Sequence, residues 1–217
     1  MNIQWDALKE NIGINSPFYF ILSICLYLLS NRSIYSFVST ILSFIVITFL
    51  GYFSHIISHH FDFTAIYNKS SILSKDIPYL DKIVRYVLDI YDFHHKTHHD
   101  TTVNRTTRNL LLEALNNIFI QGILFIIVGT IYNYLNKTVF ILWGLLYASF
   151  HIINYSIIDS SIHTDHHLNI HSNYGIDIYD IIMGTKHDWN DIEEYNHYAI
   201  NLILLTILIL LFRYFVK

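Results

Sequence analysis

Imidazole dominates the chemistry that this chain can do. Fourteen of its 217 residues are histidine. His55, His59 and His60 stand in GYFSHIISHHFD, and His94, His95, His98 and His99 in DFHHKTHHDTT. His163, His166, His167 and His171 stand in SSIHTDHHLNIHSNYG, with His151 shortly before them in ASFHIINYS. Residues three and four apart share one face of a helix. His55 with His59, His95 with His98 and His99, and His163 with His166 and His167 can therefore each aim imidazoles at one point. Imidazole is the commonest neutral nitrogen ligand of Fe, Zn, Cu and Ni, and three such clusters hold more ligands than one ion can use, which points to two metal ions. The expected ligands are His55, His59, His95, His98, His99, His151, His163, His166 and His167, with His60, His94 and His171 as further donors. Asp92, Asp159 and Asp165 stand near enough in sequence to orient imidazoles from behind. Asn154, three residues after His151, is a candidate for a water-mediated contact. His187 and His197 stand alone and read as surface or capping residues. Cys25 is the only cysteine and sits in an apolar run, so neither a disulfide framework nor a thiolate metal site is expected.

The elements that must hold these clusters read as membrane spans. Hydrophobic residues make up 53% of the chain and charged residues 14%, with a mean hydropathy of +0.38. Soluble domains carry about 25% charged residues, so a soluble monomer and a disordered chain are both disfavoured. Apolar runs predict spans at about 17–31, 34–53, 118–135 and 139–158, the first two and the last two each forming a helical hairpin. A further apolar run at 199–216 either crosses the bilayer or lies against it. The first sixteen residues carry Asp6 and Glu10 and lack a basic start, unlike a secretory signal peptide. With neither repeats nor a Pro/Gly linker, residues 1–217 read as one unit: an all-α integral membrane protein in which segments 54–117 and 159–198 form a histidine-rich helical cap over a di-metal site. The stretch Ser70 to Tyr91 mixes charges with apolar residues near helical spacing, as an amphipathic helix on the bilayer surface does.

Charge supports this arrangement. Two hairpins put the N-terminus and both cap segments on one side, together with nine of the thirteen basic residues, which places the histidine face in the cytoplasm. A formal net charge of -4 offers no basic field for nucleic acid, so none is expected as a partner. A metal transporter should carry ionisable groups in the middle of its spans. The predicted spans offer only Ser43, Thr48, Gln121 and Thr130 there.

The three boxes, HxxxH then HxxHH then HxxHH, and the string Asn173, Tyr174, Gly175 followed by Tyr179, Asp180 and then Met183, Gly184, Thr185, resemble the fatty acid hydroxylase and sterol desaturase superfamily of membrane-bound histidine-box enzymes. The resemblance extends from about Phe18 to Thr185 and is most specific in the third box. The chain departs from the usual pattern in three places: Ile56 follows the first-box histidine where Arg is frequent, residues Phe61 to Phe93 separate the first two boxes, and Tyr179 replaces a Trp. The resemblance implies two iron ions held by the histidines and O2 as co-substrate. It also implies hydroxylation or desaturation of a C–H bond in a membrane lipid, with a fatty acyl, sphingoid or sterol substrate. The HPGG signature of a fused cytochrome b5 is missing, so a separate electron donor of cytochrome b5 or reductase type is implied, in an endoplasmic-reticulum-type membrane if the host is eukaryotic.

Overall fold

The computed structural model describes residues 4–31, 33–71, 76–93, 96, 106–157 and 161–216. In chain order its helices are α1 (Trp5–Ile14), α2 (Ser16–Leu29), α3 (Ile34–His60), α4 (Phe63–Lys69), α5 (Pro78–Phe93), α6 (Thr107–Gln121), α7 (Ile126–Ile131), α8 (Lys137–Ser149), α9 (Ser161–Leu168), α10 (Asp177–Met183) and α11 (Ala199–Phe215). A π-helical segment, Phe150–Ile157, continues α8. No strand occurs among the described residues.

Helix starts fall where a side chain can accept a hydrogen bond from one of the orphan N–H groups of the first turn. Ser33 does so for α3, Asp62 for α4, Thr106 for α6 and Asn136 for α8. Four helical stretches are long and apolar enough to cross a membrane: Ile34–His60, Thr107–Ile131, Lys137–Asn154 and Asn196–Phe215. α1 and α2 meet at a bend of 66° and make a fifth if counted as one broken span. The helices are those of a multi-pass membrane protein. α8 lies at the centre, packed against α6, α3 and α11, and α11 also packs along α2. The core between them is built from Leu22, Leu26, Leu29, Ile47, Phe140, Leu142, Leu146 and Leu202, while Phe20, Ile34, Ile127, Leu204 and Phe212 face outward.

Two observations refine the predicted spans. The third begins at Thr107 instead of Ile118. Read linearly, 107–117 is polar, but on the helix Glu113, Asn116, Asn117 and Gln121 turn inward while Leu111, Leu112 and Leu115 are exposed. The segment is therefore apolar on its outside and polar on its inside. α6 and α8 approach closely at two glycines: a Cβ on Gly122 would stand 2.9 Å from the Cα of Gly144, and one on Gly144 would stand 3.1 Å from the Cα of Gly122.

The last helix runs the full length of the bundle. At its start the Asn196 side chain donates to the carbonyl of Ile14 (3.0 Å) and accepts from the N–H of Phe18 (3.2 Å). At its end Arg213 donates to the carbonyl of Leu29 (2.9 Å) and to the Thr138 hydroxyl (2.5 Å). These contacts join start to start and end to end, so α11 lies parallel to α2. Asn136, in the turn before α8, binds Thr40 (3.0 Å) and Ser43 (2.7 Å) near the Arg213 end.

At the other end a buried polar clamp fixes α1 to α10 and to the segment that follows it. Asn11 donates to Asp177 (2.9 Å), Asp177 pairs with the buried Lys186, and Asn15 binds the carbonyl of Glu193 (2.8 Å) and the N–H of Tyr195 (2.6 Å). Asn11 and Asn15 are completely buried, so the clamp satisfies groups that an apolar surrounding would penalise.

Candidate metal centre

The first-box helix and the third-box helix meet at the clamped end of the bundle. His55 and His59 occupy consecutive turns near the C-terminus of α3, and His166 lies on α9. One ring nitrogen from each lies within 4.8 Å of the others, and all three side chains are buried. His59 Nε2 and His166 Nε2 are 3.2 Å apart. One turn along α9, His163 Nε2 and His167 Nε2 approach to 2.9 Å.

The rings are aimed by backbone carbonyls. His55 Nδ1 meets the carbonyl of Tyr174, and His166 Nδ1 meets the carbonyl of Ser172 (2.5 Å). A carbonyl only accepts, so each Nδ1 carries the proton and each Nε2 keeps a lone pair. Metal-bound imidazoles are held in this way, with the second nitrogen donating to a carbonyl or carboxylate, and this donor set fits a transition metal.

The turn that carries those carbonyls is itself held by Asp180. Its carboxylate accepts from the N–H groups of Tyr174 (2.9 Å) and Gly175 (3.1 Å) and from the Thr185 hydroxyl (2.6 Å). Burial nevertheless pushes its carboxyl up to about 7. Asn173 adopts a left-handed conformation (φ 53°) that starts the turn, and its side chain accepts from the N–H of His187 (3.0 Å). Gly175 leaves room for Tyr52, whose ring carbon would lie 2.9 Å from a Cβ there, and the Tyr52 hydroxyl reaches Thr185 (2.6 Å). The Asn-Tyr-Gly string and the later Asp and Gly-Thr thus have a shared physical role, which is to present two carbonyls to two imidazoles.

The other predicted residues fall as follows. His151, in the π-helical segment, directs Nε2 at the Tyr147 hydroxyl (3.0 Å) and places Nδ1 3.4 Å from Oε1 of Glu113. The Tyr147 hydroxyl is also 3.3 Å from His55 Nδ1, so Glu113, His151, Tyr147 and His55 form a continuous chain from α6 to the three-histidine cluster. π-Helical segments are frequent at functional sites, where the extra residue redirects a side chain. His60 turns back to the carbonyl of Ile56 (2.9 Å) and packs beside His171 (ring centroids 5.6 Å apart), both exposed at the rim. Asn154 accepts from Asn201 of α11 (3.3 Å). Asp165 is half-buried on α9, and among the described residues its carboxylate makes no hydrogen bond to an imidazole. Asp92 does not orient an imidazole among the described residues: its carboxylate accepts from the N–H groups of Phe63 and Thr64 and pairs with Lys96, closing the start of α4. His94, His95, His98, His99 and Asp159 lie outside the described residues.

Sequence reading missed Glu113 and Tyr147. Glu113 falls before the apolar run that marks the span, and Tyr147 is indistinguishable there from other buried aromatics. For Tyr147 the signal is spacing, one helical turn before His151; for Glu113 the linear sequence carries none.

An apolar cavity of about 420 Å³ reaches the same place. Phe18, Leu22 and Leu26 of α2, Phe44 and Thr48 of α3, and Leu146 of α8 line it, and His55, His151 and His163 form part of its wall. Compared with known protein families, with curated proteins and with solved structures, the chain shows no match.

Proposed function

We propose that the chain is a membrane-bound di-iron oxidoreductase that uses O2 and externally supplied electrons to hydroxylate a C–H bond of a membrane lipid, or to desaturate it. The observation that carries this reading is the apolar cavity ending on His55, His151 and His163 beside the buried His55, His59 and His166 cluster. A metal centre serving a polar or ionic substrate would have little use for a hydrocarbon-lined approach between spans, whereas an alkyl chain requires one.

In this reading His55, His59 and His166 hold one ion. His163 and His167, with the second-box residues His95, His98 and His99, hold the other. Bound iron would supply the oxidation of an unactivated C–H bond with O2, which no side chain performs. The chain's own residues do the rest. Tyr174 and Ser172 fix the tautomers of His55 and His166 through their carbonyls. Phe44, Leu146 and Phe150 hold an alkyl chain against the histidines and keep water from it. Electrons come from a separate donor.

The metal-transport reading gains little from the spans. Glu113 is the buried carboxylate on the third, and it sits at the histidine end facing His151, not at mid-span. Whole-cell lipid mass spectrometry on a host expressing the chain, beside a His98→Ala/His99→Ala variant, tests the proposal. A lipid that gains an oxygen atom or loses two hydrogens only with intact histidines is expected. An unchanged lipid profile with a histidine-dependent change in cellular iron or zinc would overturn the proposal in favour of metal handling.

A further inference from the structure

Glu113, Asn117 and Gln121 follow one another at four-residue spacing on the inward face of α6, which turns a polar stripe into the bundle beside the histidine centre. Asn117 is completely buried, and neither atom of its amide has a hydrogen-bond partner among the described residues. The same holds for Oε1 of Gln121 and Nε1 of Trp143. The last two converge: both lie within 3.0 Å of the point where a Cβ on Gly51 would stand. Gln121 Oε1 and Trp143 Nε1 thus bring an acceptor and a donor together between α3, α6 and α8, and Asn117, one turn earlier on the same face of α6, adds a further unmet donor and acceptor.

Between spans no solvent reaches such groups from outside, and leaving them unmet is costly. The mixture of donors and acceptors defines the guest. A cation would meet the two N–H groups and an anion the two carbonyl oxygens, each unfavourably, and an apolar guest would satisfy none of the four. Water both donates and accepts, and bridges groups too far apart to bond directly.

We propose that Asn117, Gln121 and Trp143 hold internal water between α3, α6 and α8, in a pocket that begins one helical turn from Glu113, the residue that faces His151. The histidine centre then adjoins two environments that share Trp143 as a wall, the apolar cavity lined by Phe44 and Leu146 and a wet pocket on α6. This does not depend on the proposed oxidoreductase activity, because water would be present whatever the site does.

Water-edited solid-state NMR on the full chain, 15N-labelled in lipid bilayers, tests it. The Trp143 indole and Asn117 amide signals should gain magnetisation from water about as fast as the exposed Asn190 side chain and several-fold faster than the backbone N–H groups of Leu142 and Leu146. In an Asn117→Leu/Gln121→Leu variant the Trp143 signal should slow to the rate of Leu142, and Trp143→Phe assigns the indole resonance. Build-up in the unaltered protein as slow as that of Leu142 would overturn the proposal, and this arm decides it even if the double variant fails to fold.

Discussion

Nδ1 of His55 donates to the backbone carbonyl of Tyr174, 119 positions along the chain. This contact joins the first histidine box to the turn after the third. It sets the tautomer of an imidazole in the three-histidine cluster through an atom that every residue possesses. The specificity lies in the turn, where Asn173, Gly175 and Asp180 bring the carbonyl to that place.

Glu113 faces His151, which reaches His55 through Tyr147. Removing its charge with Glu113→Gln should leave the fold intact and weaken metal retention by less than the about 10- to 100-fold lost when a carboxylate bonded directly to a ligating imidazole is removed, because Glu113 acts on His55 through His151 and Tyr147. Competition with a chelator of known affinity measures it, with the exposed Glu10→Gln as control.

Asp180 gives the turn a pH dependence of known sign. Burial raises its carboxyl from 3.8 to about 7 in the folded chain, against the hydrogen bonds from Thr185, Gly175 and Tyr174. The folded state thus binds its proton more tightly than the unfolded state. This contribution to stability is complete below about 3.8 and is lost as pH rises through about 7. Thermal unfolding in detergent across that window should show a fall for the unaltered chain and a flatter profile for Asp180→Asn.

Lys186 and Asp177 form an ion pair with both side chains buried, and Asn11 closes it from α1. Lys186→Met leaves a buried carboxylate without its cation and should cost about 3–5 kcal/mol. Adding Asp177→Asn to that variant should restore much of the loss, because the unpaired charge is then gone. Unfolding midpoints of the two variants report the difference.

The spans were legible because hydrocarbon demands long apolar runs, and the first and third boxes because helical spacing puts His55 with His59, and His163 with His166 and His167, on shared faces. The start of α6 was not legible: a linear reading averages its inward Glu113, Asn117 and Gln121 with its outward Leu111 and Leu115, and so sees neither face. The path of α11 was hidden for another reason. Its apolar run is compatible with crossing or with lying on the surface, and the choice rests on two tertiary contacts, Asn196 with Ile14 and Arg213 with Leu29. The roles of Tyr174 and Ser172 belong to backbone atoms, on which side-chain chemistry is silent.

In the proposed function the histidine centre oxidises a lipid lying in the apolar cavity. The most direct test is incubation of the purified, iron-loaded chain in lipid vesicles with a chemical reductant and isotopically labelled O2, followed by mass spectrometry of the lipids, beside His166→Ala. Labelled oxygen in a lipid, or loss of two hydrogens coupled to O2 consumption, is expected with the unaltered chain only. Lipids unchanged by an iron-loaded, reduced chain, or changed equally by His166→Ala, would contradict it.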